Sequence, residues 1–260
     1  MASGLRYPRQ YPLAMVQRDE VSLESWVVAG GRPERIGEPL NTPVIAASNY
    51  TIGGDHIYAR DTESTATIES LETLVGGMEG GTGIAFSSGM AAVGLVTQLL
   101  APQQLVVVPH DCYGGTYRLF NALSQRGSLR VRFVDFQQPG ELSEAFAAGP
   151  AMVWIETPSN PLLRIVDIGA VATQARSAGA TVVADNTFLS PVWQRPLELG
   201  ADLVVHSTTK YLNGHSDVVG GAVSAASAEH HERLAWWANC TGVTGAPFDS
   251  FLTLRGLRSL

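Results

Sequence analysis

The sequence predicts an α/β fold, a doubly wound and mostly parallel sheet of about seven strands, on three observations. Short apolar runs of β-forming residues recur along the chain, helical stretches separate them, and chemically capable side chains gather just after the runs. Residues 1 to about 50 show little periodicity and are interrupted by Gly30, Gly31, Pro33, Gly37, Pro39 and Pro43, so 1–61 is read as an irregular arm. Between Thr62 and Glu79 the pattern becomes helical, with Ile68, Leu71, Leu74, Val75 and Met78 on one stripe and Glu63, Glu69 and Glu72 off it. That helix opens a large domain over 62–260. The strand candidates follow at 83–86, 104–108, 131–134, 151–156, 181–185, 201–206 and 220–225, each with a helix of roughly ten residues expected after it. FDSFLTLRGLRSL closes the chain as an amphipathic helix.

Composition narrows the function classes. The 260 residues carry a net charge of −7, with 45% hydrophobic and 16% charged residues, which suits a globular protein. An acidic balance, pI about 5.3, gives no electrostatic reason to expect nucleic acid or an anionic membrane as partner. No apolar run approaches the roughly 18 residues of a membrane span, and the start lacks a signal-peptide core, so a cytoplasmic location is expected. Cys112 and Cys240 cannot build a disulfide framework or a zinc cluster. The histidines lack paired metal-ligand spacing, so no metal is expected.

One count points to chemistry. Of the 17 basic side chains, all but Lys210 are arginine. A lysine amine can attack a carbonyl to form a Schiff base and a guanidinium cannot, although a leftover surface lysine would look the same in the count. Doubly wound sheets bind ligands at the carboxyl ends of their strands. There the chain has Ser87-Ser88-Gly89-Met90, His110-Asp111-Cys112-Tyr113, Thr157-Pro158-Ser159-Asn160, Asp185-Asn186-Thr187 and Ser207-Thr208-Thr209-Lys210. Gly89 and Met90 open an apolar helix, so free N–H groups and the positive helix end would face an anion, most naturally phosphate. Ser207 and Thr209 could add hydroxyl donors. Asp185 ends an apolar strand, where a carboxylate needs a cationic partner. A phosphate cradle, an acid and a lysine match the three anchors of pyridoxal 5′-phosphate, whose protonated ring acts as an electron sink.

The stretch DNTFLSPVWQRPLELGADLVVHSTTKYLNGHSDVVGG resembles the cysteine/methionine-metabolism family of pyridoxal-phosphate enzymes, as do VPHDCYGGTYRLF and ETPSNPLLRIVDI, and the resemblance runs from Pro43 to Leu260. It implies the fold type I architecture. It also implies Lys210 as the Schiff-base lysine, Asp185 as partner of the ring nitrogen, and Gly89, Met90, Ser207 and Thr209 around the phosphate. Tyr113 would stack on the ring and help deprotonate the incoming amine, Asn160 and Arg118 would line the cofactor and substrate pocket, and Thr187 would support the ring or Asp185. Tyr58 and Arg60 would reach the phosphate of a neighbouring subunit, which implies a homo-oligomer, a dimer or tetramer. Amino acids would be the substrates, and the nearest motifs imply γ-replacement of the acyl group of an O-acylated homoserine by cysteine sulfur. γ-Elimination and direct sulfhydrylation are the rival reactions, and a fragment that binds cofactor without turnover is the rival of another kind. Two departures stand out. The family has an Asn-Pro-Thr turn where this chain reads Asp61-Thr62-Glu63-Ser64-Thr65, and its smaller C-terminal domain is absent here, so the chain is expected to be a truncated piece and a poor catalyst.

Overall fold

The computed structural model describes residues 17–33, 39–60 and 64–260. The first sixteen residues and Asp61-Thr62-Glu63 of the altered turn lie outside them.

All seven strand candidates form strands: β1 (Thr82–Phe86), β2 (Leu105–Pro109), β3 (Arg130–Val134), β4 (Met152–Glu156), β5 (Thr181–Asp185), β6 (Leu203–His206) and β7 (Gly221–Ala225). They make one sheet in the order β1-β7-β6-β5-β4-β2-β3. Only β7 runs antiparallel to its neighbours, β1 and β6. The expectation of a helix after every strand fails here. The fourteen residues 207–220 between β6 and β7 form turns, because Asn213, Gly214 and the charged and hydroxyl residues around them offer no apolar stripe to bury. Without a crossover helix the chain turns back, and β7 is reversed.

Alternation sorts each strand's side chains between two cores. On one face Val106, Val108, Met152, Trp154, Val183, Leu203 and Val205 pack against α3 (Gly89–Val96), α4 (Gly114–Gln125) and α8 (Ala228–Thr241). On the other, Val107, Val153, Ile155, Val182 and Ala184 meet α5 (Pro139–Ala147) and α6 (Ile168–Ser177). Continuing the alternation past Trp154 and Val183 puts Glu156 and Asp185 together on the first face.

A third cluster joins α1 (Leu23–Ala29), α2 (Ala66–Glu79) and α9 (Pro247–Leu257) to Ala85 and Ala222. Thr65 caps α2 by accepting from the Ile68 N–H at 3.3 Å, and Gly80, at φ 84°, ends it. The arm contains more order than its glycines and prolines suggest. Ser22 caps the seven-residue α1, and buried Trp26 donates its indole N–H to the Leu74 carbonyl at 3.1 Å. The apolar face of α9 is covered in part, with Leu254 and Leu257 buried and Phe248 exposed. Among the described residues no helix is long and apolar enough to cross a membrane.

Candidate active site

The carboxyl ends of β1, β4, β5 and β6 bring most of the predicted residues to one corner. Ser88 caps α3 by accepting from the Ala91 N–H at 3.0 Å, which leaves the first-turn N–H groups of Gly89 and Met90 without helical acceptors. Gly89 is required by contact rather than by its backbone angle. A Cβ there would stand 2.7 Å from the Ser207 Cβ, so the start of α3 and the loop after β6 touch directly.

Thr187 joins the acid to that loop. Its hydroxyl oxygen accepts from the Ser207 N–H at 2.8 Å, and its own N–H donates to Asp185 Oδ1 at 3.0 Å. Thr209 is held to the far end of the loop: its hydroxyl accepts from the Gly220 N–H at 3.0 Å and donates to the Gly220 carbonyl at 3.2 Å. Between these anchors Lys210 is exposed and, among the described residues, makes no ion pair.

Burial raises the Asp185 carboxyl above its ordinary value, against the opposing effect of its bonds from Thr187 and of nearby His206. Glu156 stands on the adjacent strand, in register with Asp185. Burial and then the charge of Asp185 push its carboxyl up to about 8, although it accepts from the backbone N–H groups of Tyr113 at 2.7 Å and Asn160 at 2.8 Å. Sequence reasoning missed Glu156. The signal was available, since AMVWIE ends an apolar run in an acid just as TVVAD does.

Tyr113 sits at the start of α4, 43% exposed. A Cβ on Gly115 would lie 2.5 Å from its ring and 2.8 Å from Met90 Sδ, so ring and thioether converge there. Asn160 is exposed in the loop after β4, between the cis Thr157–Pro158 and Asn160–Pro161 bonds. Arg118 is exposed on α4 and, among the described residues, forms no ion pair. Among the described residues Tyr58 and Arg60 are not bonded to this corner. Tyr58 bridges to Asn49, and the Arg60 guanidinium lies 5.3 Å from the Tyr58 ring and bonds the Asn239 carbonyl of α8. Cys112 is buried, and its thiol is pushed up to about 12 by burial and by Glu156 and Asp111, which disfavours the thiolate. A cavity of about 40 Å³ between α2, β1 and α8 contains none of the strand-end residues.

Behind the sheet, on the face opposite Asp185, is a second polar group that the sequence did not reveal. His206 Nε2 and Glu79 Oε1 are 2.6 Å apart, Asn186 donates to the same oxygen at 2.8 Å, and Gln194 joins Asn186 to the Thr157 carbonyl. Glu79, Asn186 and His206 are wholly buried.

The corner fits pyridoxal 5′-phosphate. Among the described residues the half-buried Asp185 carboxyl is bonded only by Thr187, which suits a cationic ring nitrogen, a helix start pressed against Ser207 suits phosphate oxygens, and the Lys210 amine, without an ion pair among those residues, stands on the loop between them. Among the described residues no cluster of His, Cys, Asp or Glu could hold a metal ion.

Comparison with known proteins agrees. Residues 27–260 match the family described as Cys/Met metabolism PLP-dependent enzyme. Cystathionine gamma-synthase of Escherichia coli is 51% identical over 225 residues, covering 84% of this chain and 58% of that one. Cystathionine beta-lyase of Coxiella burnetii is 44% identical over 238 residues, covering 89% of this chain and 62% of that protein. The crystal structure of cystathionine gamma synthase from Xanthomonas oryzae pv. oryzae in complex with cystathionine superposes with a TM-score of 0.89 at 47% identity, over 92% of this chain and 63% of that one. The chain therefore spans about three fifths of the length of these relatives.

Proposed function

The chain belongs to the Cys/Met metabolism PLP-dependent enzyme family, and from that premise we propose that it takes part in γ-replacement. In this reaction the sulfur of L-cysteine displaces the acyl group of O-succinyl-L-homoserine, giving cystathionine and succinate. The reading is carried by the bonding of Thr187 to both Asp185 and Ser207, which joins an acid, an anion seat and the Lys210 loop in one corner. Its reaction-level support is the 51% identity to a cystathionine gamma-synthase.

When bound, pyridoxal 5′-phosphate supplies an aldehyde for amines and a ring that withdraws electrons from the adjacent carbon. The chain's own residues do the rest. Asp185 holds the proton at the ring nitrogen. The N–H groups of Gly89 and Met90, with the hydroxyls of Ser207 and Thr209, bind the phosphate. Lys210 carries the cofactor at rest and, once free, moves protons at the substrate Cα and Cβ. Tyr113 covers the ring and accepts a proton from the incoming amine, while Asn160 and Arg118 orient the substrate and Thr187 keeps Asp185 in place. Tyr58 and Arg60 serve the phosphate of a second copy of the chain, in a cytoplasmic homodimer or homotetramer.

Borohydride reduction with added pyridoxal 5′-phosphate is expected to fix the label on the peptide containing Lys210, with none in Lys210→Arg. Labelling confined to the N-terminal amine would overturn the assignment. Incubation with O-succinylhomoserine, with and without cysteine, separates replacement from elimination. The similarity to a cystathionine beta-lyase favours one further reading, cleavage of cystathionine, which incubation with that compound decides.

A further inference from the structure

We propose that Glu156 is a positioning residue of this site, holding the backbones of Tyr113 and Asn160 against the rung that carries Asp185. The inference rests on the cofactor reading above and adds to it a residue that no motif singled out.

Each carboxylate oxygen of Glu156 has its own donor, Oε2 the Tyr113 N–H at 2.7 Å and Oε1 the Asn160 N–H at 2.8 Å. The two donors come from different loops, one after β2 and one after β4, so a single side chain sets the separation of both. Tyr113 is the N-cap residue of α4 and has no side-chain cap bond of its own. Glu156 therefore accepts the N–H of the N-cap residue itself, the bond that an N3 glutamate supplies in a capping box. Only a carboxylate offers two acceptors here. Glutamine has one carbonyl oxygen, and its amide would face a second N–H donor to donor.

Holding an acid at this position carries a penalty, since Glu156 is 5% exposed and its carboxyl is pushed up to about 8. Asp185, Asp111 and the Cys112 thiol are the neighbours that act on this region. Glu72 shows what a comparable glutamate does elsewhere. Its carboxyl is also pushed up to about 8 by burial, and it accepts one backbone N–H, that of Ala85 in β1, at 2.9 Å. Among the described residues Glu72 bonds none of the strand-end residues, which makes it the matched control.

The test reads cofactor geometry rather than turnover. The 260-residue chain and its variants are loaded with pyridoxal 5′-phosphate, borohydride labelling at Lys210 is quantified on one portion, and visible circular dichroism per mole of bound cofactor is recorded on another. Glu156→Gln is expected to keep the Lys210 label but lose at least about half of the dichroic band, because loops released from one anchor no longer fix the ring. Glu156→Ala should lose more, and if it does not fold, Glu156→Gln decides. Glu72→Gln keeps an acceptor for the Ala85 N–H and should leave the band unchanged. An unchanged band in Glu156→Gln, or an equal loss in Glu72→Gln, overturns the inference and leaves the cofactor reading standing. Absence of Lys210 label in the unsubstituted chain overturns the cofactor reading, and the inference with it.

Discussion

Carboxyl groups, buried at Glu79 and Glu156 and half-buried at Asp185, stand at the same end of the sheet on its two faces, and they are bonded in opposite ways. Behind the sheet Glu79 meets side chains, His206 at 2.6 Å and Asn186 at 2.8 Å. In front, Glu156 accepts only backbone N–H groups and Asp185 is bonded by Thr187, with no lysine or arginine within ion-pair distance of either among the described residues. A buried acid matched by its own chain's side chains secures strand ends. An acid held mainly by backbone donors, whose charge burial disfavours, is left to be matched by a cation from outside.

The largest effect expected from this contrast is on turnover. Asp185→Asn should lower cystathionine formation by about a hundredfold or more, each tenfold being about 1.36 kcal/mol of transition-state stabilisation. The same change should leave the melting temperature of the cofactor-free chain unchanged or higher, because burial already disfavours the Asp185 charge. A near-normal rate would mean that the front acid does not serve a ligand cation.

Next comes the rear pair. Glu79→Gln breaks a wholly buried His–Glu contact, and should reduce stability by about 3 kcal/mol or more, roughly 10 °C in Tm, while Lys210 still takes the borohydride label. A thermal melt showing less than about 1 kcal/mol of loss would erase the distinction between the faces.

The pH dependence sharpens it further. Glu156 and Asp185 both bind protons more tightly folded than unfolded, so their contribution to stability is fully present below about pH 4, the unfolded carboxyl range. It is lost as pH rises, through about 8 for Glu156. The Tm of the cofactor-free chain should therefore fall between about pH 5 and 9, with a shallower slope in Glu156→Gln. Glu72, also near 8, adds slope of the same sign, and Glu72→Gln removes that share. A Tm that rises over this window would contradict the assignment.

The smallest effect belongs to the solvated surface. Arg132 and Glu144 pair at 3.1 Å with the glutamate largely exposed, so Glu144→Ala should change stability by no more than about 1 kcal/mol in urea titration.

The front of this comparison was legible in the sequence and the rear was not. Apolar runs ending in Asp185 or followed by Gly89 and Lys210 are local patterns, and parallel strands buried on both faces leave them uninterrupted. Glu156 has the same local pattern but belongs to no triad of anchors, so nothing drew the reading to it. The rear cluster unites Glu79, Thr157, Asn186, Gln194 and His206 from four separate stretches of chain, and only the packing of α2 against β1 and β7 carries Glu79 to Asn186 and His206. The reversal of β7 was hidden for a related reason: an apolar run shows that a strand is buried, not which way it points.

That reversal also affects how the molecule is made. Among the described residues β1 lies at the edge of the sheet and pairs with β7 alone, Phe86 against Gly221. About half of the chain is translated between them, on the order of ten seconds at typical ribosomal speeds. Throughout that interval β1 and the α3 start that follows it have no strand beside them, so the anion seat is assembled after most of the sheet has been synthesised. Long-range pairing of this kind slows folding and exposes an unpaired strand edge. The nascent chain is thus most open to wrong pairing at β1, and release from that hazard comes with the emergence of residues 221–225.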